Sequence, residues 1–163
     1  MWQEPIFDRT NADTLTARAS QSNIDNHKGA INYEDLNRIE GNYQYVFDKL
    51  YSDSFIVPHV RRNRVEVHYD ATGSTITKSY TDWQEQNIPW QSEIDRIREN
   101  FNSLTRIFLR GLGLPIFEPS SFLLYTEVND WERVALAGKV LFENMEKEYR
   151  RCNTVTSGGD PLL

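Results

Sequence analysis

Asn32-Tyr-Glu-Asp-Leu36-Asn-Arg-Ile39-Glu-Gly-Asn-Tyr43-Gln-Tyr-Val46-Phe47-Asp-Lys-Leu50 decides the fold class. Leu36, Ile39, Tyr43, Val46, Phe47 and Leu50 recur at three- and four-residue spacing, which places them on one face of an amphipathic helix. Asn32 is a good N-cap, and Asp35 three residues later completes a capping box. Gly41 weakens the helix slightly but sits off the stripe.

Two more helical stripes follow downstream. Pro89 can open a second helix, in which Ile94, Ile97, Phe101, Leu104, Ile107 and Phe108 share a face. Gly111 and Gly113 stop it, and Pro115 and Pro119 bracket a rigid connector. A third helix runs from about Thr126 to about Tyr149, with Val128, Trp131, Ala135, Val140, Leu141 and Met145 mostly on one side. Upstream, Thr10 or Asp8 can cap a short helix over Asn11 to Ser20, its apolar side made of Ala12, Leu15 and Ala19.

Between the first two long helices the period changes to two. Val65, Val67 and Tyr69 alternate with Glu66, His68 and Asp70, and a β-branched run follows Gly73, which predicts a β-hairpin over about 64–80. The expected fold is mainly α: a small three-helix core with an inserted β-hairpin and extended N- and C-terminal arms. A single domain, 1–163, divides into an N-terminal arm with a short helix (1–30), helix 1 (31–53), the hairpin insertion and linker (54–87), helices 2 and 3 (88–153) and a tail (154–163).

The three helix starts can be placed in register. Leu36-Asn-Arg-Ile39 lies over Ile94-Asp-Arg-Ile97 and over Val128-Asn-Asp-Trp131, with Tyr33, Trp90 and Tyr125 as the aromatics just before them. Asn42 and Asn100 coincide, as do Tyr43 and Phe101. The unequal spacing of the copies excludes a solenoid. Amphipathic helices resemble one another for trivial reasons, but the shared Asn-Arg or Asp-Arg pair is not required by periodicity.

Composition sets the outer bounds. The chain has 163 residues, with 18 Lys+Arg against 24 Asp+Glu and a net charge of −6, which disfavours nucleic acid as a general partner. One cysteine, Cys152, excludes an intramolecular disulfide and a multi-cysteine zinc site. No stretch is apolar enough over the roughly 20 residues that a bilayer needs, and the N-terminus does not read as a secretory signal, so no membrane partner is expected.

Chemistry-bearing patterns are missing. His27, His59 and His68 lack paired ligand spacing, so no metal is expected. There is no Gly-x-Ser-x-Gly elbow and no phosphate-cradling loop, and Gly111-Leu-Gly113 reads as a helix stop rather than part of a dinucleotide fingerprint. Glu40, Glu99 and Glu132 fall opposite the apolar stripes, where solvated side chains are expected rather than a glycosidase acid/base pair. Neither catalytic residues nor a cofactor is expected.

Glu4-Pro-Ile-Phe-Asp8-Arg-Thr-Asn-Ala-Asp13, Lys28-Gly-Ala-Ile-Asn32 and Leu36-Asn-Arg-Ile-Glu-Gly-Asn42 together resemble a family of small virion proteins. These are encoded among the tail and baseplate genes of phages and prophages of Gram-positive, Clostridia-like bacteria. Asp82-Trp83, Ile88-Pro89, Ile94-Asp-Arg-Ile97 and Tyr125-Thr-Glu-Val-Asn129 extend the resemblance over nearly the whole chain. The long basic hairpin at 61–80 and Trp131, where a smaller aliphatic is usual, depart from the pattern. The resemblance implies a non-enzymatic structural subunit of a tail, baseplate or neck. Such a subunit assembles in the host cytoplasm, resides in the virion and contacts copies of itself and other virion proteins.

Charge distribution and aromatics point to where those contacts would lie. Residues 1–53 carry 5 basic and 9 acidic groups, net −4, and residues 82–163 carry 9 and 13, also net −4. Residues 54–81 hold 4 basic and 2 acidic groups, net +2. A basic ribbon on an acidic body favours ribbon-to-body docking between subunits, although Arg61, Arg62 and Arg64 could equally be charges that protect a strand edge. Trp2, Phe7, Arg61, Arg62, Arg64, Tyr80 and Trp83 are the interface candidates, together with the C-terminal tail. A second reading makes Trp83, Trp90 and Tyr80 a sugar-stacking platform that binds a host-surface glycan.

Overall fold

A computed structural model of the chain describes residues 1–20, 28–52, 68–69, 75–76, 83–85, 89–107 and 109–156. The fold is mainly helical: α1 spans Asn11–Ala19, α2 Tyr33–Ser52, α3 Gln91–Ile107 and α4 Tyr125–Thr156. Among the described residues the strands are β1, His68–Tyr69, and β2, Thr75–Ile76; they pair antiparallel with His68 opposite Ile76 and Tyr69 opposite Thr75. The remainder of the expected hairpin, 64–80, and the tail beyond 156 lie outside the described residues. No described helix is long and apolar enough to cross a membrane.

Local signals start and stop the helices as their residues dictate. Thr10, not Asp8, caps α1: its hydroxyl accepts from the Asp13 N–H at 3.3 Å, and Asp13 accepts from the Thr10 N–H at 2.7 Å. Asn32 and Asp35 form the matching pair on α2, at 3.0 and 3.3 Å. Gly111 and Gly113 adopt φ of +92° and +67°, a left-handed backbone that turns the chain away after α3.

The buried cluster takes Leu36, Ile39, Tyr43, Val46, Phe47 and Leu50 from α2, Ile94, Ile97, Phe101 and Leu104 from α3, and Val128, Trp131, Val134, Ala135 and Phe142 from α4. Trp83, Leu109 and Phe117 complete it from the connections. The expected stripes of α2 and α3 are therefore interior wherever their side chains are described. Two stripes need correction. Val140 of α4 is exposed, because Leu141 and Phe142 take the inward positions of that turn. In α1 Leu15 is exposed and Ala17 is buried instead of Ala12 or Ala19, since the Gly29 turn packs directly on the Asp13–Thr14 backbone and sets which face points inward.

Cross-helix pairs fix the direction of packing. On α2 and α4, Arg38 meets Glu132, Val46 meets Gly138, and Tyr45 and Lys49 meet Phe142. On α2 and α3, Glu40 meets Arg96 and Tyr43 meets Phe101; on α3 and α4, Arg98 meets Glu127 and Phe101 stacks on Trp131. In each pair residue numbers rise together, so the three long helices run in the same direction. Helices arranged this way cannot be joined by tight turns, and the connection after α3 travels back along that helix, with Phe117 at Asn102 and Ser120 at Arg98 and Gln91, before α4 begins.

Candidate interaction surface

Asparagine side chains pin the extended segments beside these helices. Asn42 of α2 accepts from the Gln3 N–H at 2.8 Å and donates to the Gln3 carbonyl at 2.8 Å. Asn129 of α4 holds Arg9 in the same way, at 3.2 and 2.9 Å, and Asn37 of α2 holds Trp83, at 2.8 and 2.9 Å. Asn102 of α3 holds Phe117, at 2.7 and 2.8 Å. A carboxamide offers one donor and one acceptor side by side, so it satisfies both polar groups of a single extended residue, as a neighbouring strand would.

The N-terminal arm thereby lies in the groove between α2 and α4. It runs opposite to α2, with Gln3 at Asn42 and Arg9 at Asp35. Arg9 is buried and donates to Asp35 at 2.7 Å, and Arg38 bridges Asp35 to Glu132, the latter at 2.8 Å. Two guanidinium groups thus face two carboxylates, which lets the cluster sit in the interior. Burial pushes the Glu132 carboxyl above the usual carboxylate range, partly offset by Arg38. Burial also disfavours the charged Arg38, yet Glu132 and Asp35 outweigh it and raise its pKa.

Equivalent clusters fill the other two grooves. Between α2 and α3, Arg96 joins Glu40 and Glu93, and the Trp83 indole donates to Glu40 at 2.6 Å. Between α3 and α4, Arg98 joins Glu127 and Asp95 and donates to the Ser120 and Phe122 carbonyls at 2.8 and 3.0 Å. The Glu127 carboxylate raises the Arg98 pKa against a smaller opposing effect of burial. The recurrence among the helix starts has a structural counterpart: Asn37 and Asn129 occupy the same register position and each grips a main chain.

Trp2 and Phe7 are half-buried along the arm. The Trp2 ring lies 5.7 Å from Tyr45, with the Lys139 ammonium 5.4 Å above it; the Arg133 guanidinium lies 5.9 Å above Phe7. These two candidates therefore join the arm to the body and keep one side open. Trp83 is corrected: it is 2% exposed, because Asn37 draws its backbone into the groove and Glu40 takes its indole N–H. A sugar-stacking platform cannot include it. Arg61, Arg62, Arg64 and Tyr80 lie outside the described residues. Glu40 and Glu132, expected to be solvated, are buried in ion pairs with Arg96 and Arg38.

Sequence reasoning missed the asparagine clamps and the exposure of Phe122, whereas Trp90 is among the aromatics it read as exposed. Trp90 is 60% exposed and Phe122 is 74% exposed; Gln91 donates to the Ser120 carbonyl at 2.7 Å, which holds the two stretches near each other. The aromatic just before each helix was the available signal for Trp90. Phe122 carried none. No family model matches the chain, and neither does any curated protein or solved structure.

Proposed function

We propose that the chain is a non-enzymatic structural subunit of a phage tail, baseplate or neck, working through contacts with copies of itself and with other virion proteins. It would assemble in the host cytoplasm and reside in the virion. In this reading the architecture is a small three-helix core with a β-hairpin inserted between its first two long helices and extended arms at both ends.

One observation carries the proposal. The stretches on which the family resemblance rests, Phe7-Asp-Arg-Thr10 and Leu36-Asn-Arg-Ile-Glu-Gly-Asn42, each contribute one contact between arm and body: Arg9 pairs with Asp35, just before the second stretch, and Asn42 grips the arm at Gln3, upstream of the first. Residues shared with a family of assembling proteins thus spend their chemistry on holding an extended arm against a helical body. Half-open aromatics along that arm and a largely exposed Trp90–Phe122 surface suit a subunit that meets neighbours on several sides.

Particles released from a prophage-carrying host that encodes the chain provide the test. Mass spectrometry of purified particles should find the chain at fixed stoichiometry, and a chain lacking 61–80 should reduce particle assembly. Complete particles without the chain, or unchanged assembly after that deletion, would sink the proposal.

A further inference from the structure

An open cleft of about 680 Å³ lies at the C-terminal end of α3, lined by Thr105, Arg106, Leu109, Arg110, Leu114 and Ile116 and by the Gly111–Gly113 turn. Thr105 is among the lining residues but only 5% exposed, and its shielded hydroxyl has no hydrogen-bond partner among the described residues. A helical threonine can satisfy itself on the carbonyl four residues back; this one does not. Arg106 and Arg110 also differ from most of the described arginines. Arg9, Arg38, Arg96, Arg98, Arg133 and Arg150 are all in ion pairs, whereas no described carboxylate pairs with Arg106 or Arg110.

Two exposed guanidinium groups without an ion pair beside the aliphatic side chains of Leu114 and Ile116 call for a carboxylate flanked by aliphatic side chains. We propose that the cleft docks Asp160-Pro-Leu-Leu163 of a second copy of this chain. The Asp160 carboxylate accepts from Arg106 and Arg110, and the leucines cover Leu114 and Ile116. The chain's own segment does not reach. Phe101 stacks on Trp131, so the cleft stands near residue 139 of α4, and from there α4 continues to Thr156, about 25 Å further at 1.5 Å per residue. Asp160 lies at most about 14 Å of extended chain beyond Thr156, too short to double back. The contact is therefore head-to-tail and joins copies in series.

Sedimentation velocity on the full chain from micromolar to millimolar concentration tests this. Wild type should associate with increasing concentration. Arg106→Glu/Arg110→Glu and Asp160→Lys should each weaken association at least about tenfold, as expected when one partner of a desolvated charge pair is lost. Combining the three changes in one chain should restore association, with helical circular dichroism unchanged throughout. A monomeric wild type, Arg variants that associate normally, or an Asp160 variant that associates normally would each overturn the proposal. The docking deepens the reading of the chain as an assembling subunit, yet it is measured on isolated protein: absence from virions would leave it standing, and its failure would leave the particle test untouched.

Discussion

Gly138→Ala should destabilise the protein, against the usual sign for a helix interior. Alanine is ordinarily favoured over glycine there by about 1 kcal/mol. At Gly138 the added methyl would stand 2.6 Å from Val46 Cγ1 and 3.7 Å from Val46 Cβ and Cγ2. Val46 is fully buried on α2, and a β-branched side chain in a helix has one strongly preferred rotamer, so Cγ1 has nowhere to swing. The two helices must separate or the core must shift, at a cost of about 1–3 kcal/mol. Set against the propensity gain, the net loss reaches about 2 kcal/mol, or about 4–8 °C in Tm for a chain of this size. Thermal and urea unfolding of Gly138→Ala, Val46→Ala and the double variant form the cycle. The double variant should be more stable than the sum of the single changes, because removing Cγ1 makes room for the methyl. A Gly138→Ala protein that gains the full propensity increment would refute the close approach of α2 and α4.

The arm should loosen without the body unfolding when an asparagine clamp is removed. Asn129→Ala strands the buried N–H and carbonyl of Arg9, at a cost of about 1–3 kcal/mol, and hydrogen exchange read by mass spectrometry should rise over residues 2–10 while α2 and α3 stay protected. Acid should fray α1. The hydrogen bonds from Thr10 hold the Asp13 carboxyl below its ordinary value of 3.8, so that contribution is present above pH 3.8 and lost as pH falls through the lower folded value. Amide chemical shifts of Asn11 to Thr14 followed down to pH 2 should show it, and Asp13→Asn should abolish the transition.

Much of the helical framework was legible because periodicity reports a buried apolar face directly. Leu36 through Leu50 and Ile94 through Leu104 are interior where those spacings place them. Glu40, Glu132 and the asparagines were not legible as buried groups for a definite reason. Each of these helices is covered by its neighbours and also by an extended segment, so its buried arc is wider than its apolar stripe. The extra arc is polar because the asparagines there meet main chain, while Glu40 and Glu132 meet buried Arg96 and Arg38, and both kinds of partner ask for polar groups rather than methyl groups. Trp83 went astray for the same reason: a linker tryptophan reads as exposed until the partners of its backbone, 46 residues earlier at Asn37, are known. The recurrence of Asn37 and Asn129 did hold the signal, in a form that required two copies to be compared.

The arm's attachment also sets a timetable. Arg9 is gripped by Asn129, 120 residues later in the chain, and the groove that receives it has α4 as one wall. A ribosome adding about 5–20 residues per second reaches Asn129 about 6–24 s after Arg9 has been made. During that interval the arm has its motif but no completed groove, and α2 lacks the partner that neutralises Arg38 from the far side. Closure of the N-terminus is thus among the last events of folding. An interrupted or truncated chain would display a free arm with Trp2 and Phe7 uncovered, a visible mark of incompleteness on which quality control or premature association could act.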